Sequence, residues 1–338
     1  MPFIVALNVR RATRKLRFLL NLARTALNPP EKVRVVALLA TYNEERFVGN
    51  CIEHLVGQGV DVYLIDNSST DRTVEISQSY LGHGVIGMET FPRGEGVYRW
   101  REILERKEEL ARTLDADWFM HVDADEVHLA PQPRRTLPEA LARVQSTGYN
   151  AVDFQEFAFV PTREDPDHDH PGYGRTMRGY YPFTPSPGPR LVRAWRKQDG
   201  PVSISKRGGH SPDFPAMRVY PIKFHMKHYL FLSPQHLLDK YGNREFEKSE
   251  VDRGWHGWRN RLKRQRISLP SKYDLKTHHP GKKLDLSNPR VQHVTVDWAL
   301  PRKPVDLYFR HKAKSPRKTR NDSEPTPDSP AVRVEKAK

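Results

Sequence analysis

The run from Lys32 to Ile76 constrains the fold more than any other part of the chain. Lys32-Val-Arg-Val-Val-Ala-Leu-Leu-Ala40 is β-branched and apolar, and it breaks at Thr41-Tyr-Asn-Glu-Glu45. Phe47, Val48, Cys51, Ile52, Leu55 and Val56 then fall at helical spacing before Gly57 and Gly59. A second strand, Val60 to Ile65, ends at Asp66. Asn67-Ser-Ser-Thr-Asp71 follows as a turn rich in helix-capping side chains, and Thr73-Val-Glu-Ile76 begins another helix. Strand, helix, strand and helix in such quick succession require parallel strands joined by crossovers.

Further along, Trp118-Phe-Met-His-Val122 reads as a buried strand closed by Asp123-Ala-Asp125-Glu126. Two carboxylates spaced i, i+2 at a strand end sit at the rim of a sheet, where ligands bind in open α/β folds. Acidic oxygens there suit a hard divalent cation that takes about one or two protein carboxylates and completes its shell with phosphates. A solvated turn is the competing meaning of the motif alone. The other strand ends weigh against it. Tyr42, Asn43 and Glu44 follow the first strand and Asp66 the second, so three strands deliver acids or an aromatic to one edge.

Ala40-Thr-Tyr-Asn-Glu-Glu45, Ile65-Asp-Asn-Ser-Ser-Thr-Asp71 and Val122-Asp-Ala-Asp-Glu126, in that order, resemble the nucleotide-binding half of a family 2 glycosyltransferase with the GT-A fold. The resemblance covers residues 33 to 130 and weakens after 160. It implies an α/β architecture of GT-A type, a Rossmann-like and mostly parallel central sheet flanked by helices. By the same resemblance Tyr42 would stack on the nucleotide base, Asp66 would accept a hydrogen bond from that base, and Glu44 would support the turn around it. Asp123 would contact the ribose or a metal-bound water. Asp125 would coordinate the Mn²⁺ or Mg²⁺ that bridges the two phosphates of a nucleotide sugar, a UDP-sugar being the commonest donor. GT-A enzymes often recruit a later histidine to the metal, and His228 in Lys223-Phe-His-Met-Lys-His228 is the residue for that role. An ordinary hydrogen-bonded histidine in a half-buried wall is the alternative.

The residue types suit the chemistry. A cation on both phosphates stabilises the leaving nucleoside diphosphate. An inverting transfer also needs a carboxylate to take the proton of the attacking hydroxyl. Glu156, near the end of the strand Tyr149 to Val160, is the favoured base, with Asp153 and Asp213 as alternatives. Cys51 is the only cysteine, so no thiolate zinc cluster exists. Asp167-His-Asp-His170 lies in a Pro-rich stretch, 161–190, where a solvated loop is expected. Tyr173, Tyr180, Tyr181 and Phe183 in that stretch offer either a stacking surface for an acceptor sugar or plain packing against the domain.

A chain of 338 residues holds one large α/β domain and an appendage. The expected organisation is a basic amphipathic segment over 1–30, a glycosyltransferase domain over 31–240, a mostly helical basic extension over 241–310 and a disordered basic tail over 311–338. The formal net charge of +15 concentrates in three basic stretches, 1–30, 253–266 and 311–338, and leaves the core near neutral. Leu16, Leu19, Leu20, Ala23 and Leu27 share one helical face and Arg10, Arg14, Arg17 and Arg24 cluster on another, with Phe18 and Leu22 blurring a pattern suited to an anionic membrane surface. The same pattern also fits a helix packed on the domain. No run approaches the roughly 20 apolar residues that span a bilayer. These features point to a cytoplasmic enzyme, peripheral at the inner membrane face, with a carbohydrate or lipid-linked acceptor in envelope polysaccharide or glycolipid synthesis. The rival is a nucleic-acid or anionic-polymer binding protein on an inactive GT-A-like scaffold, which the basic Trp255/Trp258 segment allows. No recognised nucleic-acid motif accompanies it.

Overall fold

The computed structural model describes residues 31–185, 188–242, 244–256, 259 and 269–293, with Glu95 described by its backbone alone. The first half alternates strands and helices: β1 (Val35–Thr41), α1 (Val48–Gly57), β2 (Asp61–Asp66), α2 (Thr73–Gln78), β3 (Val85–Thr90), β4 (Val97–Tyr98), α3 (Trp100–Thr113) and β5 (Trp118–Asp123). There follow β6 (Glu126–Leu129), α4 (Leu137–Ser146), β7 (Ala151–Phe159), α5 (Tyr173–Thr176), β8 (Gly179–Phe183), β9 (Val192–Arg196) and β10 (Phe224–Tyr229). The last elements are α6 (Pro234–Tyr241), β11 (Glu245–Phe246), α7 (Lys248–Asp252) and β12 (Lys276–Thr277).

The main sheet runs β12-β8-β7-β9-β5-β1-β2-β3, with β10 beside β7 and carrying β6. β5, β1, β2 and β3 are parallel, as the alternating pattern requires. β9 enters antiparallel between β5 and β7, so the sheet is mixed beyond β5. β1 is apolar at consecutive positions because both of its faces are covered. Val35, Ala37 and Leu39 pack into one core cluster with Phe47, Cys51 and Ile52 of the α1 region. Val36 and Leu38 face a second cluster with Leu104 and Leu110 of α3. Burying a Leu or Ile side chain of this kind is worth about 1.5–3 kcal/mol, so the strand cannot slip register without exchanging one core for the other.

Two expectations change. The Pro-rich stretch is not structureless: it carries α5 and β8, and Tyr173, Tyr180, Tyr181 and Phe183 are all buried. Tyr180 stacks on Phe159, and Tyr173 meets Phe47 edge-on. These rings are packing, not a stacking platform. The described residues of 241–310 are not mainly helical. They hold α7, a 3-10 turn at Lys272–Asp274 and two short strands, and β12 joins the sheet edge beside β8. The expectations for 1–30 and 311–338, and most of the 253–266 cluster, lie outside the described residues.

Candidate active site

The turns after β1 and β2 are latched to each other. Asn43 adopts a left-handed φ of 55°, which asparagine tolerates better than most residues. Its backbone N–H donates to Ser69 Oγ (2.9 Å), and its side-chain Oδ1 accepts from Thr70 N (2.8 Å). Glu44 N donates to Thr73 Oγ1 at 2.8 Å. Asp66 belongs to this latch. Its carboxylate accepts from Thr41 Oγ1 (3.2 Å), Ser69 N (2.9 Å) and Ser69 Oγ (2.6 Å), and the residue is only 1% exposed. Asp66 is therefore a tie between strand ends and is not among the residues that line the cavity beside it.

That cavity, of about 450 Å³, gathers Tyr42 and Glu44 after β1, Asp123 and Asp125 after β5, Glu156 of β7 and His228 of β10. Six of the expected site residues thus meet. Asp213 does not: it lies in the segment before β10, ion-paired with Lys206 at 3.2 Å and half-exposed, so it is withdrawn as a base.

Sequence reasoning missed the cations. Lys240, at the end of α6, places Nζ 2.8 Å from Asp125 Oδ2 and 3.2 Å from Glu44 Oε2. Arg193 of β9 places Nη2 3.0 Å from Asp123 Oδ2 and 2.6 Å from Glu126 Oε1. Register explains His228. β10 runs antiparallel to β6 with His228 opposite Glu126, and Tyr229 N donates to the Asp125 carbonyl at 2.9 Å. The imidazole Nδ1 then lies 2.7 Å from Glu156 Oε1, while Nε2 lies 3.4 Å from Asp125 Oδ2.

Charge states follow from these contacts. Burial opposes ionisation of Asp125, but Lys240 and His228 outweigh it and hold the carboxyl well below its usual range. Burial also opposes the His228 imidazolium, yet Asp125 and Glu156 together raise it well above the ordinary value. For Glu156 burial is overcome by His293, His228 and Arg190, which keep it below the usual carboxylate range. Arg190 Nη1 lies 2.9 Å from Glu156 Oε2. A carboxylate so fully engaged is a weak base. Its contacts make Glu156 the residue that orients His228 rather than a free proton acceptor.

Beneath the β5 rim, Lys107 of α3 is wholly buried, with Nζ 3.0 Å from His121 Nδ1 and 3.3 Å from the Val122 carbonyl. Burial pushes its ammonium down to about 7. After β1 the Tyr42 ring is faced by Arg93, 3.9 Å from its centroid, and flanked by Arg244 at 5.3 Å.

The expected metal ligands are right in type but are not arranged as a cradle. Asp125 Oδ2 is engaged by Lys240 and His228, and Asp123 Oδ2 is turned to Arg193. Among the described residues, no three His, Cys, Asp or Glu side chains group to hold a metal ion. A Mn²⁺ or Mg²⁺ on Asp123, Asp125 and His228 would have to share these carboxylates with Lys240 and Arg193, so the three do not form a ready-made metal cradle. Nor, among the described residues, is any helix long and apolar enough to cross a membrane.

Comparison with known proteins places the site in context. Residues 37–198 match the family model described as Glycosyl transferase family 2. A curated relative, the lipopolysaccharide core biosynthesis glycosyltransferase LpsC of Rhizobium meliloti (strain 1021), is 32% identical over 111 residues, which is 33% of this chain. The match spans 38% of that relative's length. Among solved structures, S. aureus TarS 1–349 in complex with UDP is 13% identical, covering 68% of this chain and 71% of that one, with a TM-score of 0.34. Glucosyl-3-phosphoglycerate synthase from Mycobacterium tuberculosis in complex with Mg²⁺ and UDP is 19% identical over 42% of this chain and 47% of that one, with a TM-score of 0.27. The same synthase has been crystallised with Mn²⁺, UDP-glucose and phosphoglyceric acid. At these TM-scores the likeness to family 2 rests on the sequence matches alone.

Proposed function

Residues 37–198 match the family model of glycosyl transferase family 2, and from that likeness we propose that this chain is a glycosyltransferase that moves a sugar from a nucleoside-diphosphate donor, a UDP-sugar first among them, to an acceptor hydroxyl. The observation that carries this reading is the convergence of β1, β5, β7 and β10 residues on one cavity. Tyr42 would take the base on its ring in place of Arg93. Asp123, the most open of the cavity carboxylates at 34% side-chain exposure, would face the ribose. Glu44 and Asp125, with the cations they hold, surround the position of the diphosphate. By the family resemblance the transfer inverts the anomeric centre and serves envelope polysaccharide or glycolipid synthesis, with the basic 1–30 segment reaching a membrane-borne acceptor. A Mn²⁺ or Mg²⁺ at Asp125 would have to displace Lys240, and no step here is routed through one.

A thermal-shift panel of UDP-, GDP- and dTDP-sugars tests the reading. One nucleotide should stabilise the chain by about 2.7 kcal/mol at a hundredfold excess over its Kd, and Tyr42→Ala should weaken that response. No response to any nucleotide, with salt-sensitive stabilisation by oligonucleotides instead, would transfer the argument to the nucleic-acid reading.

A further inference from the structure

A divalent cation needs carboxylate oxygens with free lone pairs and room for phosphate ligands. At this rim the cation beside Asp125 is an ammonium. Lys240 is 4% exposed in its side chain and is gripped by two carboxylates from different strand ends, Asp125 after β5 and Glu44 after β1. Two of its three N–H donors go to those acids. A metal on Asp125 would sit beside a buried positive charge whose withdrawal leaves Glu44 unpaired.

Four residues further on, Arg244 also lines the cavity. Among the described residues it makes no ion pair; its Nη2 donates to the Tyr42 carbonyl at 3.3 Å. Its Nε is buried without a hydrogen-bond partner. Tyr98 lies 5.0 Å from the guanidinium carbon and Tyr42 lies 5.3 Å from it. A guanidinium fork so held suits phosphate oxygens, which it meets in bidentate fashion. Arg244 brings a positive charge that no described carboxylate takes up, and Lys240 keeps one N–H beyond the two given to Asp125 and Glu44.

We propose that Lys240 and Arg244 neutralise the diphosphate of the donor, so that this chain binds its nucleoside diphosphate without a divalent cation. The inference rests on the glycosyl-transfer reading above. It goes further in assigning the counter-charge to two side chains that the motif-bearing half of the sequence does not contain. Asp125, with Glu44, then serves to aim Lys240, while Asp123 of the same motif holds Arg193.

The test is calorimetric titration of the full chain with UDP, GDP and dTDP, in EDTA and then in excess Mn²⁺ or Mg²⁺. One nucleotide should bind with a Kd that agrees within about threefold between the two conditions. Arg244→Met should weaken it about tenfold or more, as expected for a lost charge-assisted hydrogen bond. Because Lys240→Met strands two buried carboxylates, it is paired with Lys240→Met/Asp125→Asn. That double variant, checked for folding by circular dichroism, should also lose about tenfold. Binding seen only with metal, together with a bound-Mn²⁺ paramagnetic resonance signal that Asp125→Asn abolishes, would overturn the inference and leave glycosyl transfer standing. Absence of nucleotide binding in both conditions would overturn the inference and the transfer reading alike.

Discussion

The rim built by β1, β2 and β5 and the wall built by β9, β10 and α6 meet at one cavity with opposite signs of charge. The rim supplies Glu44, Asp123 and Asp125; the wall supplies Arg193, His228 and Lys240. Rim residues are set by neighbours close in space and pattern, through parallel registers and an Asn, Ser and Thr latch. Wall residues are set by long-range pairing: Lys240 lies 115 positions from Asp125, and Arg193 lies 70 from Asp123. Acids clustered at a strand end repel one another. The second half of the chain makes that clustering tolerable.

The sharpest way to break this comparison is Arg193→Met. It leaves Glu126 buried and Asp123 half-buried with no guanidinium, and removal of one partner of a buried ion pair costs about 3–5 kcal/mol. Urea denaturation should show that loss. A change under about 1 kcal/mol, the range of exposed pairs, would mean that the rim acids do not depend on the wall.

Lys107 sharpens the same point from below the rim. Burial holds its ammonium near 7 in the folded chain, below the 10.5 of an ordinary lysine. Between these limits the unfolded chain binds a proton that the folded chain lacks, so stability contributed here rises with pH. The cost of burial is fully present below about 7 and is relieved as pH approaches 10.5. The slope is at most about 1.4 kcal/mol per pH unit. Denaturation of wild type and Lys107→Met across that window should show the slope in the first and its loss in the second. Parallel curves would show that Lys107 stays charged in the fold.

The smallest effect belongs to a feature outside the comparison. Thr136 caps α4, accepting from Glu139 N while the Glu139 carboxylate accepts from Thr136 N at 2.9 Å. Thr136→Ala should cost about 1 kcal/mol and leave nucleotide affinity unchanged. A loss of affinity would show that the two halves are less separable than their charges suggest.

Legibility in the sequence follows the same division. The apolar run of β1, the helical spacing of α1 and the acids after β5 were readable, because period and turn chemistry are local signals. Asp66 sits at a strand end as the pattern requires, and the Ser69 and Thr41 hydroxyls that engage it show that a latch and a ligand site share one composition. The aromatics of 173–183 were read as open to two meanings, and packing against Phe159 and Phe47 decided between them. Glu156 was found on the right strand, yet its engagement by Arg190 and His228 depends on pairings that no local pattern carries. Lys240 ends an ordinary amphipathic helix, and nothing nearby distinguishes it from a solvated lysine.

The most direct test of the account is the initial rate of nucleoside diphosphate release from the preferred donor, in wild type and in Asp125→Asn. The account predicts a fall of about a hundredfold or more, the scale for losing a donor fixed on a developing anion, because Lys240 loses the carboxylate that aims it, in a variant that remains folded. An unchanged rate in Asp125→Asn would contradict it, because the rim and the wall would then not be parts of one donor site.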